Sequence, residues 1–274
     1  MSRLWWSGAL PMVALSGALV MTGCSSTTQG GATGVDRRQL LLVSSEQVNQ
    51  LSAQSYQQDL AKARAAGVLD RDAALLVRLK KIANRLVPHV SQFRPDARSW
   101  NWEVHTTTSN ELNAYAAPGG KIMFYTGIVN RLNLTDDEIA AIMGHEMAHA
   151  VREHARERLS RDYAQQAGLG ILASAVGLSE GQAQMAGMAA QLGLGLPHGR
   201  AQESEADTLG VELMARAGYN PQAALSLWQK MQKASQGEPP QFLSTHPSTS
   251  DRLTRISAIL PRVTPLYQQA IRRG

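Results

Sequence analysis

One stretch constrains this chain more than any other: a helix that marks its own start and carries two histidines on one face. Thr135 followed three residues later by Glu138 is a capping-box pattern, and Asp136 and Asp137 add negative charge at the positive helix end. A helix is predicted from about Leu134 to Arg158. Inside it lies His145-Glu146-Met147-Ala148-His149. Residues four apart on an α-helix are separated by about 40°, so both imidazoles leave from the same face and can reach one tetrahedral metal ion. Glu146, about 100° round from His145, can reach a metal-bound water instead of the metal. Zinc lowers the pKa of such a water toward about 7, and a carboxylate placed there accepts its proton.

A catalytic zinc takes three protein ligands and keeps one position open. One class of helical zinc peptidase uses a His six residues after the second histidine, following a Gly at three. Here those positions hold Ala155 and Arg152, which excludes that class. Another class takes a Glu from a later helix, and Glu203-Ser204-Glu205-Ala206-Asp207 offers one. Glu203 and Asp207 share a face, so Glu203 can ligate while Asp207 accepts a hydrogen bond from a ligand histidine; Glu205 is expected to point elsewhere. An exposed acidic helix start is the plain alternative. His154, nine residues after His145 and about 180° round a continuous helix, is expected to face away. His89, His105 and His198 read as ordinary histidines, with His198 the strongest rival because it lies near Glu203.

The rest of the chain sets the frame. Of 274 residues, 43% are hydrophobic and 18% charged, which suits a globular domain. The net charge of +5 comes without a dense Lys/Arg block carrying interleaved aromatics, so no nucleic-acid partner is expected. The single cysteine, Cys24, excludes a disulfide framework. Arg3, an apolar stretch from about Leu4 to Met21, and then Met21-Thr22-Gly23-Cys24 form a secretory signal with small residues at the cleavage point. This resembles a bacterial lipoprotein signal, with Cys24 lipidated. Ser25, where an Asp would favour inner-membrane retention, points by the same resemblance to the outer membrane. Residues 1–23 are therefore expected as signal, 24–40 as a lipidated flexible tether, and 41–274 as the catalytic domain.

Helices are expected over about Ser44–Ala66, Arg71–Val90, Glu203–Ala217, Asn220–Ala234 and Ser250–Leu260. Trp100 to Thr106 alternates as a strand, and Asn113–Ala116 and Lys121–Thr126 flank a Pro118-Gly119-Gly120 turn as two short antiparallel strands. Gly168 to Leu196 reads as small-residue helices, its apolar part too short to span a bilayer. The Met185, Met188 and Leu192 stripe within it reads as core.

Four segments together resemble metallopeptidase family forty-eight, in family order: Asn113-Ala114-Tyr115-Ala116 before Pro118-Gly119-Gly120, His145 to His149, Glu203 to Asp207, and Thr245-His246-Pro247 with Arg252. The family includes HtpX and CAAX prenyl protease types, and the match points to its soluble LoiP- and BepA-like lipoprotein branch. The resemblance implies an α+β, mostly helical zincin-type domain with a small antiparallel sheet beside the active-site helix. It implies one zinc ion per subunit on His145, His149 and Glu203, with Glu146 as base and Asp207 behind a ligand. It implies that Asn113, Ala114, Tyr115 and Ala116 pair with extended substrate backbone, as strand addition would. His246 would reach over the zinc, either donating to the oxyanion or blocking the open position at rest; Arg252 would steady that region or bind a substrate carbonyl. A loop histidine and a solvated arginine are the plain alternatives.

The chain is expected to lack the helical-repeat domain of the BepA type and the membrane spans of the HtpX type. The implied role is cleavage of misfolded or misassembled envelope proteins at the periplasmic face of the outer membrane, beside the membrane-assembly machinery. The competing reading is a non-enzymatic lipoprotein that binds outer-membrane proteins and holds a structural zinc, closed by His246 as fourth ligand.

Overall fold

The computed structural model describes residues 24–175, 198–235, 240–247 and 251–273. The expected signal and the Met185, Met188 and Leu192 stripe lie outside the described residues. The described chain opens with two short strands, β1 (Cys24–Ser25) and β2 (Gln39–Leu40), paired antiparallel. Helix α1 (Ser45–Ala65) is capped by Ser44, whose hydroxyl accepts from the Gln47 amide. Helix α2 (Ala73–Leu86) starts at Asp72, whose carboxylate accepts from the Leu75 amide at 2.9 Å. Its Leu75, Leu79, Ile82, Ala83 and Leu86 recur at helical spacing and are all buried.

Strands β3 (Glu103–Thr107), β4 (Ala114–Ala117) and β5 (Lys121–Tyr125) form a sheet in the order β3-β5-β4. The expected hairpin of β4 and β5 is antiparallel, turned by Gly119 and Gly120 at positive φ. The chain reverses after β3 and skips one place in the sheet; β5 fills that place and so runs parallel to β3, making the sheet mixed. α1 covers one face, where the Tyr56 hydroxyl donates to the Ile122 carbonyl at 3.0 Å.

The remaining helices are α3 (Thr126–Arg131), α4 (Asp136–Val151), α5 (His154–Ala175), α6 (Arg200–Arg216), α7 (Ala223–Ala234), α8 (Gln241–Thr245) and α9 (Arg252–Arg273). The capping box on α4 is present in full. Every residue of α4 from Glu138 to Val151 is buried. Ile139, Ile142, Met143 and Met147 are 0% exposed; fully burying a side chain of this kind stabilises by about 1.5–3 kcal/mol. α6 packs against α4 at a pair of glycines. A Cβ on Gly144 would stand 2.8 Å from the Gly210 carbonyl oxygen, and one on Gly210 would stand 2.7 Å from the His145 nitrogen. Backbone meets backbone there, and the two histidines of α4 are drawn against the acids of α6.

Three expectations need correction. The histidine helix does not run to Arg158. It stops at Val151, and Glu153 takes φ +52°, a left-handed turn held in place by Arg94 and Arg156 on its carboxylate. The last helix continues past Leu260 to Arg273 with Pro261 and Pro265 inside it. Buried Ile256 and Val263, with Leu266 and Tyr267 packed on the core, offset the lost backbone bonds.

The stretch expected as a flexible tether is folded onto the domain. Buried Glu212 accepts from Ala32 N, Thr33 N and Thr33 Oγ1 at 2.8–2.9 Å. Thr27 Oγ1 and Gln39 Nε2 donate to the Arg152 carbonyl at 2.9 and 2.7 Å. None of the described helices is long and apolar enough to cross a membrane.

Candidate metal centre and active site

His145 and His149 leave the same face of α4, one turn apart, and Glu203 meets them from the first turn of α6. All three are buried. His145 Nε2 and His149 Nε2 are 3.1 Å apart, and the Glu203 carboxylate oxygens lie 3.6 and 3.4 Å from them. Donors at about 2.0–2.2 Å from a tetrahedral ion are separated by roughly 3.3–3.6 Å, so the two imidazole nitrogens and one Glu203 oxygen fit three corners of one coordination sphere. The charge count agrees. Glu146, Glu203 and Asp207 are three buried carboxyls facing one buried guanidinium, Arg252. Fully ionised, they leave an excess of two negative charges, which a divalent cation balances.

The flanking groups are in place. Asp207 Oδ1 is 3.0 Å from His145 Nδ1, the ring atom turned away from the cluster, although the pair is not aligned for a straight hydrogen bond. Arg252 Nε donates to Asp207 Oδ2 at 2.7 Å, and Arg252 Nη2 donates to Glu203. Its guanidinium lies over the Trp228 ring at 3.8 Å. Arg252 therefore clamps the carboxylate beside the ions' place and the one behind His145. His246 Nδ1 is 3.0 Å from Glu203 Oε1 and 3.2 Å from His145 Nε2, which brings a fourth donor to the cluster. Its Nε2 is 3.3 Å from Glu146 Oε1.

Glu146 stands between this cluster and the sheet. Its Oε2 accepts from the Ala116 amide of β4 at 3.3 Å. Ala114 and Ala116 therefore lie along the strand nearest the cluster. The Tyr115 side chain turns the other way, its hydroxyl donating to Asp59 on α1 at 3.0 Å, and the Asn113 carbonyl accepts from Tyr125 N.

Burial tunes these groups in opposite directions. It raises the Glu146 carboxyl above its ordinary value, as a proton acceptor requires. Burial alone would lower His145, but Asp207 and Glu203 outweigh it and hold that imidazole up. His149, buried beside His145 and His154, is held well below the usual range. Burial would raise Glu203, yet the His246 hydrogen bond and the charges of His145, His246 and Arg252 bring it to about 2.

Sequence reasoning missed a second set of residues behind His149. Because α4 ends at Val151 and the chain turns at Glu153, His154 swings back, and its Nδ1 lies 2.8 Å from His149 Nδ1. His154 Nε2 is 3.0 Å from Glu205 Oε2. Glu205 also takes Arg152 Nε at 3.1 Å and Arg37 Nε at 2.5 Å, and Arg37 continues to Glu157 at 2.6 Å. His198 lies half-buried against His149, with Arg158 directed at both its ring nitrogens. His89 and His105 lie outside the site, His105 beside Asp70 at 2.5 Å. A parity count along α6 gives the one signal for this set: Glu205, two residues from both Glu203 and Asp207, has to face a different neighbour.

A buried pair of histidines on a core helix, a carboxylate from a second helix and a free carboxylate beside them define a zincin-type metallopeptidase, mostly helical with a small mixed sheet. The chain belongs to peptidase family M48, whose family model matches residues 76–260. It is 28% identical to Metalloprotease LoiP of Escherichia coli over 249 residues, covering 89% of this chain and 94% of that protein. It is 35% identical over 162 residues to Mitochondrial metalloendopeptidase OMA1 of Schizosaccharomyces pombe, covering 58% and 47%. It is 27% identical over 201 residues to the Beta-barrel assembly-enhancing protease of Yersinia pestis, covering 70% and 40%. The chain spans about half the length of the fission-yeast and bovine OMA1 proteins it matches.

Proposed function

We propose that this protein is a zinc-dependent endopeptidase of the bacterial cell envelope that cleaves misfolded or misassembled envelope proteins. The observation that carries the peptidase reading is the convergence of three ligand residues whose nearest donor atoms lie 3.1–3.6 Å apart, with a buried carboxylate, Glu146, beside them. His145, His149 and Glu203 would hold one zinc ion. A zinc bound there supplies a Lewis acid and a water that gives up its proton near neutral pH. Glu146 takes that proton and returns it to the leaving amine. Among the described residues β4 pairs with another strand on one side alone, so its outer edge can add a substrate strand through the main chain at Ala114, and at Ala116 once that amide leaves Glu146. Main-chain pairing accepts many sequences, which suits unfolded substrates.

In this arrangement His246 closes the cluster at rest. It sits after the short helix α8, and its release opens a position for substrate while leaving an imidazole near the oxyanion. Arg252 keeps Glu203 and Asp207 in register. The envelope location is supported by the signal-like residues before Cys24. The name of the Yersinia relative, which speaks of β-barrel assembly, supports β-barrel proteins as a substrate class. Membrane attachment would be through a lipid on Cys24, and radiolabelled palmitate entering wild type but not Cys24→Ser tests it.

The test of the peptidase reading is metal analysis with a casein-cleavage assay on the purified protein, with and without chelator. Glu146→Gln is expected to retain zinc and lose cleavage; unchanged cleavage removes the assigned base. The fourth donor at 3.0–3.2 Å favours one alternative, a closed structural zinc in a non-enzymatic binding protein. Wild type and His246→Ala together separate the two: cleavage by either protein supports the catalytic site, whereas zinc in both without cleavage by either supports the binding protein.

A further inference from the structure

We infer that His154 and Glu205 are positioning residues that fix the tautomer of His149 and so make its Nε2 a metal donor. The inference rests on the metal site proposed above. A neutral imidazole carries one N–H, and only the other nitrogen can bind a metal. His149 Nε2 points at the cluster, 3.1 Å from His145 Nε2, so it must be the bare nitrogen. That requires the proton on His149 Nδ1 and an acceptor facing it.

The atom facing it is not the carboxylate or carbonyl that usually stands behind such a ligand. It is another histidine nitrogen, His154 Nδ1, at 2.8 Å, and two imidazole nitrogens in contact can be settled either way round. Glu205 settles it. Its Oε2 lies 3.0 Å from His154 Nε2, and an ionised carboxylate only accepts. His154 therefore carries its proton on Nε2, leaves Nδ1 bare, and takes the hydrogen bond from His149 Nδ1–H. Arg152 and Arg37, both bonded to Glu205, balance its charge from the far side. The contacts run from Glu205 through His154 to His149, and all three residues are buried. A second ion among His149, His154 and His198 is opposed by Arg158, whose guanidinium is directed at both ring nitrogens of His198.

Two variants of nearly equal size divide the relay. In His154→Asn the amide oxygen falls where His154 Nδ1 stands, so the acceptor for His149 is kept. In His154→Gln the amide reaches the Nε2 position, so the contact with Glu205 is kept and the one with His149 is lost. Zinc affinity, measured by competition with a chromophoric chelator, is expected to fall about 10–100-fold in His154→Gln and to stay close to wild type in His154→Asn. Thermal unfolding of the metal-free forms reports packing separately. Equal affinity in all three proteins overturns the inference, as does an equal loss in both variants. If neither variant folds, long-range 1H–15N spectra of the metal-free wild type decide: His149 protonated at Nδ1 and His154 at Nε2 supports it, and the reverse pair overturns it. A wild type that binds no zinc sinks the metal site itself, and the spectra still decide the tautomers.

Discussion

The two histidines of α4 are equal in sequence and unequal in what stands behind them. His145 is backed directly by Asp207, which Arg252 holds from the other side. His149 is backed by a histidine, then by Glu205, then by two arginines, one of them from the N-terminal segment. Glu203, Glu205 and Asp207, alternate residues of α6, divide the work: one faces both imidazoles, and each of the others ends a chain of contacts behind one of them. The difference teaches that the His145 side is local to two helices and their clamp, whereas the His149 side depends on a turn, a third helix and a distant segment. The second arrangement ties metal binding to folding, since the groups that orient the ligand also carry the buried charge pairs.

That contrast can be broken most severely at the glycine contact both sides share. Gly210→Val drives a side chain into the α4 backbone and is expected to cost about 3 kcal/mol or to abolish folding, measured by urea unfolding. A variant with wild-type stability and metal content would falsify the claim that this contact sets the ligand geometry. Glu205→Ala comes next. It strips a carboxylate from buried Arg152, which keeps bonds to Ser26, Thr28 and the Arg37 carbonyl, and is expected to lower stability by about 1.5–3 kcal/mol even in metal-free protein.

Asp207→Asn, on the simpler side, keeps a side-chain oxygen for buried Arg252 and is expected to act mainly on the metal, with affinity down about 10–100-fold. Should Asp207→Asn destabilise the metal-free protein as much as Glu205→Ala, the two sides are not different in kind. The smallest effect is at Arg37, which is part-exposed: Arg37→Ala is expected to cost about 1 kcal/mol at neutral pH.

The Arg37 loss carries a pH signature. Burial would raise Glu157, but hydrogen bonds from Arg37 and Gln202 bring it from 4.5 to about 2. A carboxylate depressed in the folded state stabilises above its unfolded pKa and stops doing so as pH falls through the folded one. The stability gap between wild type and Arg37→Ala should therefore be full above about pH 4.5 and close as pH approaches about 2. A gap that is constant across this range, followed by circular dichroism in urea, removes Arg37 as the cause.

Much of the simpler side was legible in the sequence. Local rules sufficed for it: a capping box starts α4, a spacing of four puts His145 and His149 on one face, and the same spacing pairs Glu203 with Asp207. His246 and Arg252 came from family resemblance, since neither has a local signal. The other side was hidden for two physical reasons. No glycine marks the left-handed turn at Glu153, so the helix was extended through it and His154 was turned outward by arithmetic. And Thr27, Thr33 and Gln39 read as linker because their partners, Arg152 and Glu212, are more than a hundred residues away. Small polar residues look alike in sequence whether solvated or matched to a buried carboxylate.

The folded N-terminal segment has a mechanical consequence. Thr27 and Gln39 both grip the carbonyl of Arg152, one residue beyond the end of α4. Tension on the chain at residue 24 meets the β1–β2 pair first and then, through Thr27, this carbonyl at the end of the helix that bears both histidines.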